Sequence, residues 1–181
     1  MPLFADIGLS RHSKTDAAMI ARSTLLLLVA FHLTVSALQA QDPIVGAFGV
    51  ELGATFDRKA VVSQETDNFH YDYYLIDPPE SSYEFQHYAI YITPFSNLVY
   101  TLIARGRYYT RGQCRKMAKF HVSKLTRIHG PPVENEIHNF GPARFAEGSR
   151  TIVVQCETSP GFTYLRITYT DAQLAQEARG P

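Results

Sequence analysis

Five histidines follow residue 40 (His70, His87, His121, His129 and His138), and with the carboxylates they are the side chains that could do proton chemistry here. No two stand at His-x-x-x-His spacing with a Glu between, the pattern that sets two imidazoles on one helical face for zinc. His121 falls on the apolar stripe of a helix, where packing is the simpler role. His70 and Asp72 project together, as residues two apart in a strand do, and read as a surface pair. No Gly-x-Ser-x-Gly elbow offers a nucleophile, and Gly148-Ser149 belongs to a turn. Glu134/Glu136 and Asp77/Glu80 lie in loops, whereas glycoside hydrolysis needs two carboxylates facing each other across a cleft. Gly46, Gly49 and Gly53 form no phosphate cradle. No catalytic or metal-ligating residue is assigned, no cofactor is expected, and the balance leans away from an enzyme.

Binding is better supplied. Tyr and Phe number eleven each, with no Trp, and these rings exceed what one helix-covered sheet face can bury. Strand alternation gathers Phe85, His87, Tyr91, Phe162, Tyr164 and Arg166 on the face turned away from the helix. Tyr and Arg with polar neighbours are what partner-binding surfaces favour. The candidate binding residues are therefore Phe85, His87, Tyr91, Tyr164 and Arg166. The competing use of that face is burial, under the loop of residues 69–83 or against a second copy.

These residues must be carried by regular elements. Residues 85–93 alternate, with Tyr88, Ile90 and Ile92 on one side and Phe85, His87, Ala89 and Tyr91 on the other. A Pro94-Phe-Ser-Asn97 turn leads to a second strand at 98–105, giving a hairpin. Residues 151–158 and 162–170 make another, with Ile152, Val154, Cys156, Leu165, Ile167 and Tyr169 on its apolar face. Between the hairpins the period changes. Cys114, Met117, Ala118, His121, Leu125 and Ile128 recur at three and four, one stripe of a helix over 110–128. Thr110 is its N-cap, and Gly130 before Pro131-Pro132 stops it. Shorter signals place an extended segment at 48–53, a helical turn at 58–64 with Val61 and Val62 inward, a strand at 69–76, a loop around 139–142 and a short helix at 171–179. The fold class is α+β: an antiparallel sheet of four to five strands with one main helix on one face, plus short helical turns.

Residues 23–40 are the segment that addresses the chain. Arg22 precedes an apolar run, Leu25 to Leu33 with one His, and small residues close it before Gln41. Basic, apolar and small-residue regions in that order make a secretory signal. The run is too short to span a bilayer, which takes about 20 apolar residues. The first eighteen residues suit a signal poorly, and Met19 is the expected start. Cleavage falls after Ala37 or Ala40, with Ala40 favoured, and leaves one domain at 41–181, periplasmic or secreted, without a membrane span. The chain's Lys and Arg equal its Asp and Glu at 17 each, so no basic field exists to hold nucleic acid. Two cysteines in an oxidising compartment are expected to pair, Cys114 with Cys156. That bridge would staple helix to sheet.

Phe48-Gly-Val-x-Leu-Gly53, the Tyr88 to Pro94 hairpin strand and a Cys-bearing helix ending in His129-Gly130 together resemble small exported bacterial proteins of uncharacterised function. The resemblance covers nearly all of residues 41–181 and implies export without implying a reaction. The helix-over-sheet layout is also similar to periplasmic domains of the β-lactamase-inhibitor type, a likeness of architecture alone. The expected function is a non-enzymatic, exported protein-binding module (inhibitor, adaptor or envelope-assembly factor) whose partner is another exported or envelope protein. The alternative is an envelope hydrolase with a loop-built site.

Overall fold

Alternating apolar residues at 87–92, 99–108, 150–159 and 162–171 build the centre of one antiparallel sheet, seen in a computed structural model that describes residues 41–67 and 72–180. The signal segment, and with it the expected cleavage site, lies outside the described residues, as do Phe69, His70 and Tyr71. In chain order the strands are β1 (Gly46–Ala47), β2 (Val50–Glu51), β3 (Val61–Thr66), β4 (Asp72–Ile76), β5 (His87–Ile92), β6 (Val99–Tyr108), β7 (Glu134–Asn135), β8 (Ala143–Glu147), β9 (Arg150–Ser159) and β10 (Phe162–Asp171). The helices are α1 (Arg111–His129) and α2 (Ala172–Arg179). β1 and β2 form a separate ribbon, and the main sheet runs β3-β4-β5-β6-β10-β9-β8-β7.

The class is α+β, but the sheet has eight strands, not four to five. β8 escaped sequence reading because it is short and framed by Pro142 and Gly148, both turn residues. Its alternation is nevertheless clear, with Ala143 and Phe145 buried on the partner strand's apolar side. The helical turn expected at 58–64 is a single 3-10 turn, Arg58–Ala60, after which the chain becomes β3. Val62 consequently points outward and is 70% exposed.

α1 begins and stops where its caps lie. Thr110 Oγ1 accepts from Gln113 N at 3.1 Å, and Gly130, at φ 78°, carries the chain out of the helix. Its buried side is Cys114, Ala118, His121, Val122 and Leu125, packed over β6, β9 and β10. Leu102, Ala104, Ile152, Val154, Leu165 and Ile167 meet it from the sheet, each at most 2% exposed. Burying an apolar side chain of this size is worth about 1.5–3 kcal/mol, so this layer carries the fold.

The strap ahead of β1 closes the same layer. Ile44 is buried, its N–H donates to Glu147 Oε2 at 2.6 Å, and its carbonyl accepts from Arg150 Nη1 at 3.0 Å. Arg150 also donates to the Leu52 carbonyl and to Asp171. Burial alone would raise the Asp171 carboxyl, but hydrogen bonds from Arg150, Leu174 N, Ser149 and Gln173 N hold it below its ordinary value. One guanidinium thus ties the strap, β10 and the N-cap of α2 together.

Cys114 and Cys156 are bonded, Sγ to Sγ at 2.02 Å, 42 residues apart. Closing a loop of that length restrains the unfolded chain by about 4 kcal/mol in the chain-entropy model. Cys156→Ala is expected to lower stability by about 2–5 kcal/mol, measured as a shift in the denaturant midpoint. An unchanged midpoint, or two freely alkylated thiols in the native wild type, contradicts the assignment.

Candidate functional site

The register decides which side chains share the uncovered face. β5, β6, β10 and β9 align so that His87, Arg105, Arg166 and Gln155 form one cross-strand row. Ala89, Ile103, Thr168 and Val153 form the next, and Tyr91 stands opposite Thr101 in the third. Alternation turns this set away from α1. On the edge side, β4 adds Tyr73 and Leu75, and β3 adds Glu65.

On the β3 to β10 side of this face, His87, Ala89, Tyr91, Ile103, Arg105 and Arg166 join Tyr73, Leu75, Glu65 and their neighbours in lining a groove of about 640 Å³. Leu75, Ala89 and Ile103 make a half-buried apolar floor. One wall is acidic: the Tyr73 hydroxyl donates to Glu65, and that of Tyr91 to Asp67 Oδ2 at 3.2 Å. Burial and the Asp67 carboxylate push Tyr91 up to about 12, and the hydrogen bond to Glu65 and burial also raise Tyr73. Both phenols therefore keep their protons at physiological pH. Their rings stack obliquely, with centroids 5.6 Å apart.

The other wall is cationic. Arg105 and Arg166 are direct cross-strand neighbours, and like charges so placed destabilise a sheet. A single carboxylate stands between them: Glu157 lies 2.7 Å from Arg166 and 3.8 Å from Arg105. The Arg105 guanidinium also sits 5.7 Å from the centroid of the Tyr164 ring. Neither Arg105 Nε nor Arg166 Nε has a hydrogen-bond partner, though both atoms are buried. Counting Glu157 alone, the pair keeps one unmatched positive charge, with Glu65 and Asp67 on the opposite wall of the groove.

Four of the five candidate binding residues, His87, Tyr91, Tyr164 and Arg166, line this groove. Phe85 does not, and the expectation for it is corrected. β5 begins only at His87, and Phe85 N donates to Ser82 O at 3.0 Å in a turn that precedes it. That turn swings Phe85 to the helix side, 5% exposed, against Phe48, Tyr88 and His121. Residues 82–85 for that reason leave the open face uncovered. Phe162 continues the open face but lies beyond the groove, under the Arg107 guanidinium. Sequence reasoning missed Arg105, Tyr73, Glu65 and Asp67. Arg105 was hidden by a register shift: pairing Ile92 with Val99 and counting back from the turn sets Ala104 opposite His87, whereas the irregularity between Tyr91 and Ile92 moves Arg105 there.

A different cleft, of about 520 Å³, lies on the helix side between the strap, residues 80–85 and α1. His121 Nε2 is 3.1 Å from Glu84 Oε2 in it, with both side chains largely buried, but the contact lacks hydrogen-bond alignment. Burial lowers His121 below its ordinary 6.5, and Lys124 adds to this, outweighing Glu84. Among the described residues no group of three or more His, Cys, Asp or Glu side chains is placed to hold a metal ion. Set against protein-family models, curated proteins and solved structures, the chain has no match in any of the three.

Tyr91 provides a direct test of the groove's electrostatics. Its hydroxyl is expected to titrate at about 12, and Asp67→Asn to bring the midpoint down while burial keeps it above the ordinary 10. NMR titration of tyrosine ring carbons reads both. A wild-type midpoint near 10 contradicts the packing described.

Proposed function

We propose that this chain is an exported, non-catalytic binding domain whose open sheet face takes a carboxylate-bearing segment of another exported or envelope protein. The observation that carries the reading is the Arg105–Arg166 pair. Two arginines face each other across a sheet with one carboxylate between them, and an incoming Asp or Glu would relieve the unmatched charge through charge-assisted hydrogen bonds. The apolar floor and the phenols of Tyr73, Tyr91 and Tyr164 supply contact area that loses little conformational freedom. Glu65 and Asp67 on the far wall repel an acidic group, so a partner segment has one orientation in the groove.

Export is part of the same reading. The signal-like segment, the bonded cysteine pair and the lack, among the described residues, of any helix long and apolar enough to cross a membrane all fit a periplasmic or secreted domain. The hydrolase alternative is favoured only by the Glu84–His121 pair. Among the described residues no hydroxyl or thiol nucleophile is bonded to that imidazole.

The partner captured from envelope extract by the oxidised domain is the ligand for the test. Arg166→Ala and Tyr91→Ala are each expected to weaken its binding by more than about 1 kcal/mol, roughly fivefold, with folding nearly intact. Ile92→Ala, on the buried side, is expected to cost about 2–5 kcal/mol of stability instead. Tyr91→Ala unfolding the domain as severely as Ile92→Ala would refute the division of faces. Binding unchanged in both groove variants would refute the site.

Export has its own readout, the intact mass of protein recovered from the envelope. The mass is expected to correspond to a start at Gln41 or Leu38, and mature protein retaining Leu25 to Leu33 contradicts the reading.

A further inference from the structure

The helix-side cleft is built by three features that packing alone does not require together. The β1–β2 ribbon turns through Phe48 and Gly49, both at positive φ (57° and 73°). Such turns favour Asn-Gly, and a bulky residue there is strained by about 1–3 kcal/mol. That backbone aims the Phe48 ring at the cleft wall, 5.5 Å from the Phe85 centroid, and Phe85 in turn lies 5.3 Å from His121. The segment that carries Glu84 packs directly on β6 at Gly106, where a Cβ would fall 2.3 Å from the Glu84 carbonyl oxygen. Finally, His121 is 8% exposed, and its Nε2 has no aligned partner.

From this geometry we infer a second binding site, for a small apolar ring bearing one hydroxyl, a phenol or a close alicyclic equivalent, seated in the cleft against the wall that Phe48 and Phe85 form together, with its hydroxyl at Glu84 and His121. A hydroxyl suits the pair because it donates and accepts at once. Its proton goes to the Glu84 carboxylate, and its oxygen accepts from His121 in the tautomer protonated at Nε2. A carboxylate ligand would meet Glu84 and Glu80, both lining the cleft, and an ammonium would meet Lys124. The volume of about 520 Å³ lies within the usual range of small-molecule pockets, about 300–1,000 Å³. The aromatic wall receives a flat ring edge-on or offset. This site lies across the sheet from the groove and is independent of the reading given to it.

The test uses the disulfide-bonded protein, with 2-naphthol as probe and 2-methoxynaphthalene as the analogue that cannot donate. NMR titration is expected to show saturable 2-naphthol binding, with shifts at Phe48, Phe85 and Ile167, and the methyl ether at least about tenfold weaker. Glu84→Gln is expected to weaken 2-naphthol binding by about fivefold, whereas Arg166→Ala leaves it unchanged. Should Glu84→Gln fail to fold, the ratio of the two probes on the wild type decides. No saturation below about 1 mM, equal affinity for the methyl ether, or shifts confined to Tyr91 and Arg166 would each overturn the site.

Discussion

A single helix of nineteen residues laid on an eight-stranded antiparallel sheet is the constraint from which the rest of the molecule follows. α1 covers only the central strands, so the apolar side needs further cover at its margins. The strap supplies Ile44, and α2 supplies Ala175. Arg150 holds these margins by bonding the Ile44 carbonyl of the strap, the Leu52 carbonyl just after β2 and the Asp171 carboxylate that caps α2. The disulfide fixes the helix itself, joining its first turn to the apolar side of β9. Every one of these devices acts on one side of the sheet, and the other side is left to the side chains that alternation delivers there.

Those side chains do not behave as solvent-facing filler. Thr, Lys and Glu would satisfy an idle sheet surface, yet the central rows place two arginines face to face and surround them with half-buried rings. The opposed arginines cost stability wherever their charge is not fully matched, and Glu157 matches half of it. Features that lower stability without an evident structural return are where a fold serves something other than itself. The positive φ of Phe48 on the helix side is the same kind of expense. Both lie beside concavities, one open and amphipolar, one narrower and largely apolar.

How much of this could be read from the sequence varied with the physics involved. α1 was legible because nineteen residues give five turns of one stripe between a Thr cap and a Gly-Pro-Pro stop. The two long hairpins were legible because alternation persists for ten residues in β6, β9 and β10. β8 was not, since five residues between Pro142 and Gly148 carry too few alternations to compete with the turn signals around them. β3 was obscured by a register shift between Val61 and Ser63, which puts two successive residues out of period. Phe85 failed for a related reason. Its parity with His87 was extended across a strand boundary that local sequence does not mark, and the turn at Ser82 reversed its side. Glu84 beside His121 was invisible, because the pair is 37 residues apart.

Strand β5 lies between the groove, which its His87, Ala89 and Tyr91 line, and the Phe48–Phe85 wall of the cleft, against which its Tyr88 packs, and that proximity bears on how the two concavities can be interpreted. His87 faces the groove, while the next residue, Tyr88, turns to the helix side, where its ring meets Phe48 at 5.0 Å and its hydroxyl bonds Ser82. Coupling between sites requires an element with two arrangements that both ligands bias. β5 is paired on both edges, to β4 and to β6, and the buried side of the hairpin is close-packed at Ile90 and Leu102. A strand held in that way transmits no rotation from one side to the other. Effects of groove and cleft substitutions should therefore add, as they do for sites without shared partners. The sheet acts as a partition between two concavities, one lined by opposed charges and phenols, the other by apolar side chains together with the Glu84–His121 pair, Glu80 and Lys124.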